Sequence, residues 1–149
     1  LEAVPELLPD LWPETPLRVR SFFELTCVRS GRMAADVVRE ALERINQLSS
    51  ERNTTLLSPH ALYSTNAELI RLVAGITAEK KWPVTVHVAE SEPELDLFQS
   101  RIGPFFDLLK NQRDMADCGG VSPIQQLLLK YFLIINRKSM EYPDNNRVL

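Results

Sequence analysis

The sequence predicts an α/β domain with about three to four parallel strands and helices between them. Short segments rich in β-branched and aromatic residues alternate three times with longer segments whose apolar residues recur every three or four positions. This alternation favours parallel strands joined by right-handed crossovers. It is compatible with an open doubly wound sheet and equally with part of a (β/α) barrel.

The first unit combines a predicted strand over 17–25 with a predicted helix over 33–48. The strand segment is rich in residues that favour extended backbone. The helix segment carries a single apolar stripe, formed by Ala34, Val37, Val38, Ala41, Leu42, Ile45 and Leu48.

The second unit begins with a short apolar strand over 54–57, which ends in Ser58, Pro59 and His60. Thr65 is expected to cap the next helix, because Glu68 three residues later completes the pattern of a capping box. The buried side of that helix is predicted to contain Leu69, Ile70, Leu72, Val73 and Ile76.

The third unit has a predicted strand over 82–89, followed by a helix that ends near Gly103. Pro93 lies where the first turn of a helix tolerates proline. Beyond this unit, the segment 105–109 predicts one or two helical turns and 114–120 a loop. Ser122 and Pro123 are expected to begin another helix, with an apolar continuation over 127–135.

The chain is therefore divided into a proline-rich connector over 1–16, a partial α/β domain over 17–135 and a polar tail over 136–149. Of its 149 residues only two are cysteines, which fits a reducing cytoplasm. A net charge of −3 gives no basic surface for nucleic acid, and no apolar run is long enough to predict a membrane span.

Both histidines are predicted at the C-terminal end of a strand, where barrels and open sheets place functional groups. Strand alternation directs His87 to the same side as Thr85 and Ala89. A neutral imidazole can bind zinc or iron, and Glu90 three residues later could transfer a proton beside the metal. The alternatives are that His87 is an ordinary structural histidine and that Glu90 only favours the start of the next helix.

Two motifs stand at the ends of the second and third predicted strands: SPHALYS over 58–64 and HVAES over 87–91. Together they resemble the amidohydrolase superfamily, in the branch that contains cytosine, guanine and S-adenosylhomocysteine deaminases and triazine chlorohydrolases. In that branch, similar segments close the fourth and fifth barrel strands. The resemblance extends from about residue 17 to about residue 129. It implies the central part of a TIM-barrel-like, metal-dependent hydrolase.

The resemblance also implies roles for three residues. His87 would be a ligand of zinc or iron, Glu90 would transfer protons during catalysis, and His60 would contact a small-molecule substrate. The implied reaction is hydrolysis of a non-peptide C–N bond by metal-activated water, as in a deaminase. Glu24 lies at the end of the predicted first strand and receives no role, while Tyr63 and Ser64 are expected only to shape the loop and cap the helix.

Most metal ligands of the family have no counterpart in the sequence. It contains no His-x-His pattern, no histidine after His87 and no convincing counterpart of the late aspartate. We therefore expect one of three cases: the chain is a fragment of a longer protein, it is a natural truncation, or the sequence omits parts of a full barrel. Three strand–helix units leave bare sheet edges, so we expect a homo-oligomer or association with the remainder of a barrel.

Two other functions compete with the hydrolase. The first is a non-catalytic, barrel-derived module that oligomerises or binds a small molecule and holds no metal. The second is an unrelated flavodoxin-like or nucleotide-binding sheet. It is disfavoured because the sequence lacks the glycine-rich phosphate-binding patterns.

Overall fold

A computed structural model describes residues 16–28, 31–48 and 52–129. The elements in chain order are β1 (Arg20–Leu25), α1 (Ala34–Leu48), β2 (Thr54–Pro59), α2 (Ala67–Lys80), α3 (Glu92–Ser100), α4 (Gly103–Leu109) and α5 (123–129). Almost all of the predicted connector, the apolar continuation after 129 and the predicted tail lie outside the described residues.

Strands β1 and β2 pair in parallel, with Phe22 opposite Leu56 and Glu24 opposite Ser58. Helix α1 connects them, which confirms the predicted strand–helix–strand order of the first two units. The register places the C-terminal ends of both strands at one edge of the sheet, where Glu24 and His60 emerge.

The third predicted strand is only partly formed. Within the described chain the sheet has two strands, and the segment 82–89 joins it through one parallel bridge between Ala61 and His87. Pro83 has no amide N–H to donate, and the side chain of Ser58, rather than a backbone group, donates to the carbonyl of Thr85 at 3.1 Å. The expectation of three to four strands is therefore wrong for this part of the chain, although the segment lies where a third strand was predicted.

The core forms two clusters that hold the sheet edge in place. The first contains the predicted stripe of α1 except Leu48, packed against Leu25 and Leu57 from the strands and Leu69 and Val73 from α2. The second joins α2 to the helices that follow, through Val28, Leu62, Ile70, Leu97, Phe98, Leu109 and Cys118. The predicted buried sides of α1 and α2 are thus largely confirmed.

The predicted cap of α2 is wrong by one residue. The N-cap is Asn66, whose side-chain oxygen accepts a hydrogen bond from the Leu69 amide at 2.8 Å. Thr65 is instead buried and donates its hydroxyl to the carbonyl of Ala61 at 2.7 Å. Local spacing could not reveal this, because the Thr65 side chain is used to close the preceding turn.

The remaining helix starts agree with the sequence. Pro93 lies in the first turn of α3, which is capped by Ser91. Ser122 accepts a hydrogen bond from the Gln125 amide at 3.3 Å at the start of α5. No helix in the described ranges is long and apolar enough to span a bilayer.

Candidate metal and catalytic site

Three polar side chains converge at the C-terminal edge of the sheet. Glu24 is the penultimate residue of β1, His60 follows β2 directly, and His87 lies at the bridge of the third segment. The backbone N–H of His87 donates to the carbonyl of His60 at 2.7 Å, which fixes the spacing of the two histidines. The site is therefore assembled by parallel pairing of segments far apart in sequence.

One carboxylate oxygen faces both imidazole rings. Oε1 of Glu24 lies 3.3 Å from Nε2 of His87 and 3.9 Å from Nε2 of His60. The two ring centroids are 5.1 Å apart. One possible ligand atom from each of the three residues lies within 4.8 Å of the others. Both histidines are half-buried, so the cluster opens to solvent on one side.

Glu90 approaches the other nitrogen of His87. Its Oε2 lies 3.9 Å from Nδ1 of His87, so the ring of His87 stands between the carboxylates of Glu24 and Glu90. The structure thus brings together the two residues that the sequence singled out first, on the same side of the sheet edge as His60.

Tyr63 connects Glu90 to His60. Its hydroxyl donates a hydrogen bond to Oε1 of Glu90 at 2.5 Å. Its ring meets that of His60 edge-on, with centroids 5.8 Å apart. Burial, together with the hydrogen bond to Glu90 and its negative charge, raises the pKa of Tyr63 well above its ordinary value. The phenol therefore remains a neutral hydrogen-bond donor at physiological pH.

Glu94 holds the backbone beside the site. Its side chain is fully buried, and Oε2 accepts the N–H of Glu90 at 2.9 Å. Burial raises the pKa of the Glu94 carboxyl, while the backbone N–H groups of Glu90 and Ala89 act in the opposite direction. Ala89 has a left-handed backbone with φ of 56°, so the chain turns sharply here. The buried Glu94 carboxylate stabilises this turn by accepting the N–H of the next residue, Glu90.

Ser64 sets the orientation of the His60 ring. Its Oγ lies 2.7 Å from Nδ1 of His60, and it also contacts the backbone of Ala61. The hydrogen bond occupies Nδ1 and leaves Nε2 facing Glu24. A hydrogen bond on the far nitrogen is the usual support of a histidine that serves as a ligand.

Sequence reasoning missed three contributors to this site. Glu24 received no role, although its place at the end of the first predicted strand was a signal that it would join the other strand-end residues. Tyr63 and Ser64 were expected only to shape a loop. Their contacts with Glu90 and His60 depend on the tertiary fold, which spacing along one motif does not reveal.

No family model matches this chain. The sequence is nevertheless similar, over about half of its length, to three deaminases. Aminodeoxyfutalosine deaminase of Deinococcus radiodurans is 35% identical over 69 residues, which cover 46% of this chain and 16% of that protein. The 5′-deoxyadenosine deaminase of Methanococcus maripaludis is 32% identical over 65 residues, covering 44% of this chain and 15% of that protein. The 5-methylthioadenosine/S-adenosylhomocysteine deaminase of Thermococcus kodakarensis is 31% identical over 75 residues, which cover 50% of this chain and 18% of that protein.

Solved structures show the same likeness in the fold. Aminofutalosine deaminase of Helicobacter pylori superposes with a TM-score of 0.61 at 19% identity, over 80% of this chain and 30% of that structure. A triazine hydrolase variant superposes with a TM-score of 0.56 at 14% identity, over 85% of this chain and 26% of that structure.

The resemblance that the two motifs indicated is confirmed to this extent: the matched relatives are deaminases, and the fold is shared with part of an aminofutalosine deaminase and part of a triazine hydrolase. The matched segments span less than a fifth of the length of the deaminase relatives. The closed barrel that the family has is not formed by the residues described in this chain.

Proposed function

We propose that this chain is the central part of a metal-dependent hydrolase of the deaminase type, which cleaves a non-peptide C–N bond. The observation that carries the proposal is the placement of His87 and Glu90 3.9 Å apart at the C-terminal edge of a parallel sheet. The similarity to three deaminases adds support, because deamination cleaves a C–N bond. Those proteins are named as deaminases of aminodeoxyfutalosine, of 5′-deoxyadenosine and of 5-methylthioadenosine or S-adenosylhomocysteine.

The residues around His87 fit a divalent cation. Imidazole nitrogen is a common donor to zinc and iron, and the ring lies between two carboxylates whose negative charges favour a cation nearby. His87 would therefore hold zinc or iron. When bound, such an ion supplies a water-derived nucleophile at neutral pH.

Glu90 would act as the proton carrier of the reaction. Tyr63 occupies its Oε1, so Oε2, which faces His87, is the oxygen placed to accept a proton from the attacking water. The same carboxyl would then deliver that proton to the departing nitrogen, so that water enters and ammonia leaves. The buried Glu94 keeps the Glu90 backbone in position for this transfer.

His60 would contact the substrate beside the metal. Its Nε2 faces the centre of the cluster, and Ser64 holds the ring in that orientation. We propose a small nitrogen heterocycle, in the first instance the adenine base of a nucleoside, as the group that meets this side chain. Helicobacter pylori aminofutalosine deaminase has been solved in complex with methylthio-coformycin.

Other parts of the site would come from outside the described chain. We propose that they are supplied by the remainder of a barrel or by a second copy, since three strand-end segments cannot enclose a substrate. Light scattering of the purified chain measures its association state, and a stable monomer would count against a second copy.

The decisive experiment is an ammonia-release assay, with zinc or iron present, of this chain together with the remainder of the barrel or the second copy that completes its site. The substrates are 5′-deoxyadenosine, methylthioadenosine and S-adenosylhomocysteine. Glu90→Gln should lower turnover by about 10²- to 10⁴-fold, the range for loss of a general acid–base group. Glu92→Gln, at an exposed position nearby, is the matched control. Turnover that survives Glu90→Gln would refute the assignment, and absence of any turnover would favour the non-catalytic module.

A further inference from the structure

The outer edge of strand β1 has no partner strand in the part of the chain that the structure describes. Parallel pairing turns the backbone of alternate residues toward β2, as where the Leu25 carbonyl accepts the amide of His60 at 3.0 Å. The intervening residues Arg20, Phe22 and Glu24 therefore direct their backbone N–H and C=O groups away from β2. An edge of this kind is a template for pairing with another strand.

We propose that this edge is the interface of a homodimer, in which β1 pairs with β1 of a second copy in antiparallel orientation about Phe22. The pairing would place Phe22 opposite Phe22 of the second copy and Arg20 opposite its Glu24. By the two-fold symmetry, Glu24 would then lie opposite Arg20 of the second copy. Each of these residues would exchange both backbone hydrogen bonds with the residue opposite it.

The side chains on this edge are complementary to themselves under that symmetry. Alternation along the strand puts Arg20, Phe22 and Glu24 on one face, while Ser21 and Leu25 on the other face are buried. Arg20 and Glu24 are both exposed, the Glu24 side chain to 40%. Opposite charges and aromatic pairs at directly opposed positions stabilise antiparallel strands. Charge usually protects an open edge from self-association, but here the two signs match each other.

The charges also select one register. An in-register parallel pairing of the same edges would oppose arginine to arginine and glutamate to glutamate, which is destabilising. A shift of the antiparallel register by two residues would leave Phe22 opposite a charged side chain. The antiparallel register centred on Phe22 matches all three positions at once, so it is the arrangement that charge and packing favour together.

The surroundings of β1 leave room for a second copy. The strand has six residues and contains neither a proline nor a left-handed residue, two features that would interrupt edge pairing. A groove of about 270 Å³ lies beside it, lined by residues of β1, of α1 and of the turn between them, with none from β2. Outside the strand, its lining combines apolar and charged side chains, as interface rims do: Val37, Ala41, Arg32, Glu40 and Arg44.

The dimer would add a residue to the candidate site. Oε1 of Glu24 faces His87 and His60, so Arg20 of the second copy would stand beside that carboxylate on the same face of the sheet. This chain cannot place its own Arg20 there, because the two residues lie four positions apart on one extended strand. The inference deepens the proposed function, on which it rests only for the meaning of the site, by choosing a second copy as partner.

The test is the association state of the full chain, measured by sedimentation velocity over a range of concentrations. We expect a monomer–dimer equilibrium for the unaltered chain. Arg20→Glu and Glu24→Arg should each weaken the dimer by at least about tenfold, since two attractive pairs become two repulsive ones. Arg71→Glu and Glu79→Arg make the same charge changes at exposed positions of α2 and should leave the dimer unchanged.

An exchange of charges tests the pairing itself. When the Arg20→Glu and Glu24→Arg chains are mixed, each glutamate can oppose an arginine, so a heterodimer about as tight as the unaltered dimer should form. The double variant Arg20→Glu/Glu24→Arg should regain the homodimer for the same reason. Damage to folding would not produce this recovery, and far-UV circular dichroism checks the fold of each variant. Should Glu24→Arg unfold, Phe22→Pro replaces it, because proline removes an outward N–H of the edge and should abolish the dimer.

The outcomes separate this inference from the hydrolytic reaction. A chain that stays monomeric at every concentration would overturn the homodimer and leave the remainder of a barrel as the occupant of this edge. A dimer that is unaffected by either charge reversal, or that does not recover when the two variants are mixed, would overturn it as well. None of these measurements involves turnover or a metal ion, so the hydrolase is judged separately, by the ammonia-release assay and Glu90→Gln.

Discussion

The hydroxyl of Tyr63 donates a 2.5 Å hydrogen bond to Oε1 of Glu90, although the two residues are 27 positions apart in sequence. Tyr63 follows the second strand and Glu90 the bridged third segment, so the contact exists only because parallel pairing aligns their ends. It leaves Oε2 of Glu90 directed at His87. The orientation of the proposed proton carrier is thus set by a residue of another segment.

Tyr63 should ionise only at a pH well above the ordinary value for tyrosine. Burial is the main cause, and the hydrogen bond to Glu90 and its negative charge add to it. Glu90→Gln removes both contributions of that carboxylate, so the pKa of Tyr63 should fall yet stay above its ordinary value. Ultraviolet titration of the chain, with Tyr63→Phe subtracted to identify this phenol, measures the change.

The same shift makes stability depend on pH at the alkaline end. The folded state keeps the Tyr63 proton at pH values where the unfolded state has lost it. Stability should therefore fall as pH rises above the ordinary tyrosine pKa of about 10, and less so in Tyr63→Phe. A Tyr63→Phe variant with the alkaline dependence of the unaltered chain would contradict this.

Glu94→Gln should abolish a second pH dependence, on the acidic side. Burial raises the pKa of Glu94, so its contribution to stability is fully present below the ordinary glutamate value of about 4.5 and is lost as pH rises through the raised value. Glutamine does not titrate and keeps an oxygen for the Glu90 amide. Urea unfolding should show the variant gaining stability relative to the unaltered chain as pH rises.

The exposed Glu92 on the same helix is the control for that measurement. Glu92→Gln should follow the pH dependence of the unaltered chain, because its carboxyl is not buried. If Glu94→Gln and Glu92→Gln gave parallel curves, the buried carboxyl would not be the source of the effect.

Asn66→Ala should lower the free energy of unfolding by about 1 kcal/mol, the usual cost of losing a side-chain N-cap. The Asn66 side chain accepts a hydrogen bond from the Leu69 amide at 2.8 Å. Thr65 does not replace it as a cap, because its hydroxyl donates to the carbonyl of Ala61. Asn66→Asp keeps an acceptor at the same position and should be close to neutral. Chemical denaturation measures the free energy of unfolding of both variants. If both lose the same amount, the hydrogen bond from the Leu69 amide does not stabilise the helix.

Arg113 should be among the most sensitive positions outside the site. Its side chain is only 4% exposed, donates to the carbonyl of Leu62 at 2.7 Å and pairs with Asp117 through both carboxylate oxygens. Arg113→Met removes one partner of this nearly buried pair and should cost about 3–5 kcal/mol. The double variant with Asp117→Asn should recover part of the loss, since no uncompensated charge remains. Urea unfolding of both variants provides the values, and a double variant weaker than the single one would contradict the account.

The sequence predicted the helices and the first two strands well, because each rests on a local pattern. The apolar stripe of α1 and the proline in the first turn of α3 both appear as expected. The third strand was overestimated. A run of β-branched residues over 82–89 indicates extended backbone, but a strand also needs a partner for its backbone hydrogen bonds. In the described residues this segment is joined to the sheet by a single bridge, between Ala61 and His87.

The site was foreseen only in part. His87, Glu90 and His60 were singled out by their place at strand ends and by two motifs, and the structure brings all three to one sheet edge. Their chemical roles remain predictions. The convergence of Glu24 on both histidines was not foreseen, since a strand end far from the motifs carries no local sign of its partners.

The sequence by itself determined which segments are helical or extended and which side of each is apolar, since these properties follow from the spacing of residues close together in the chain. Only the tertiary structure decided that Glu24, His60 and His87 share one point, that Tyr63 holds Glu90, and that Glu94 is buried beneath it. The reason is that strand pairing joins segments tens of residues apart, and the register of that pairing sets which side chains meet.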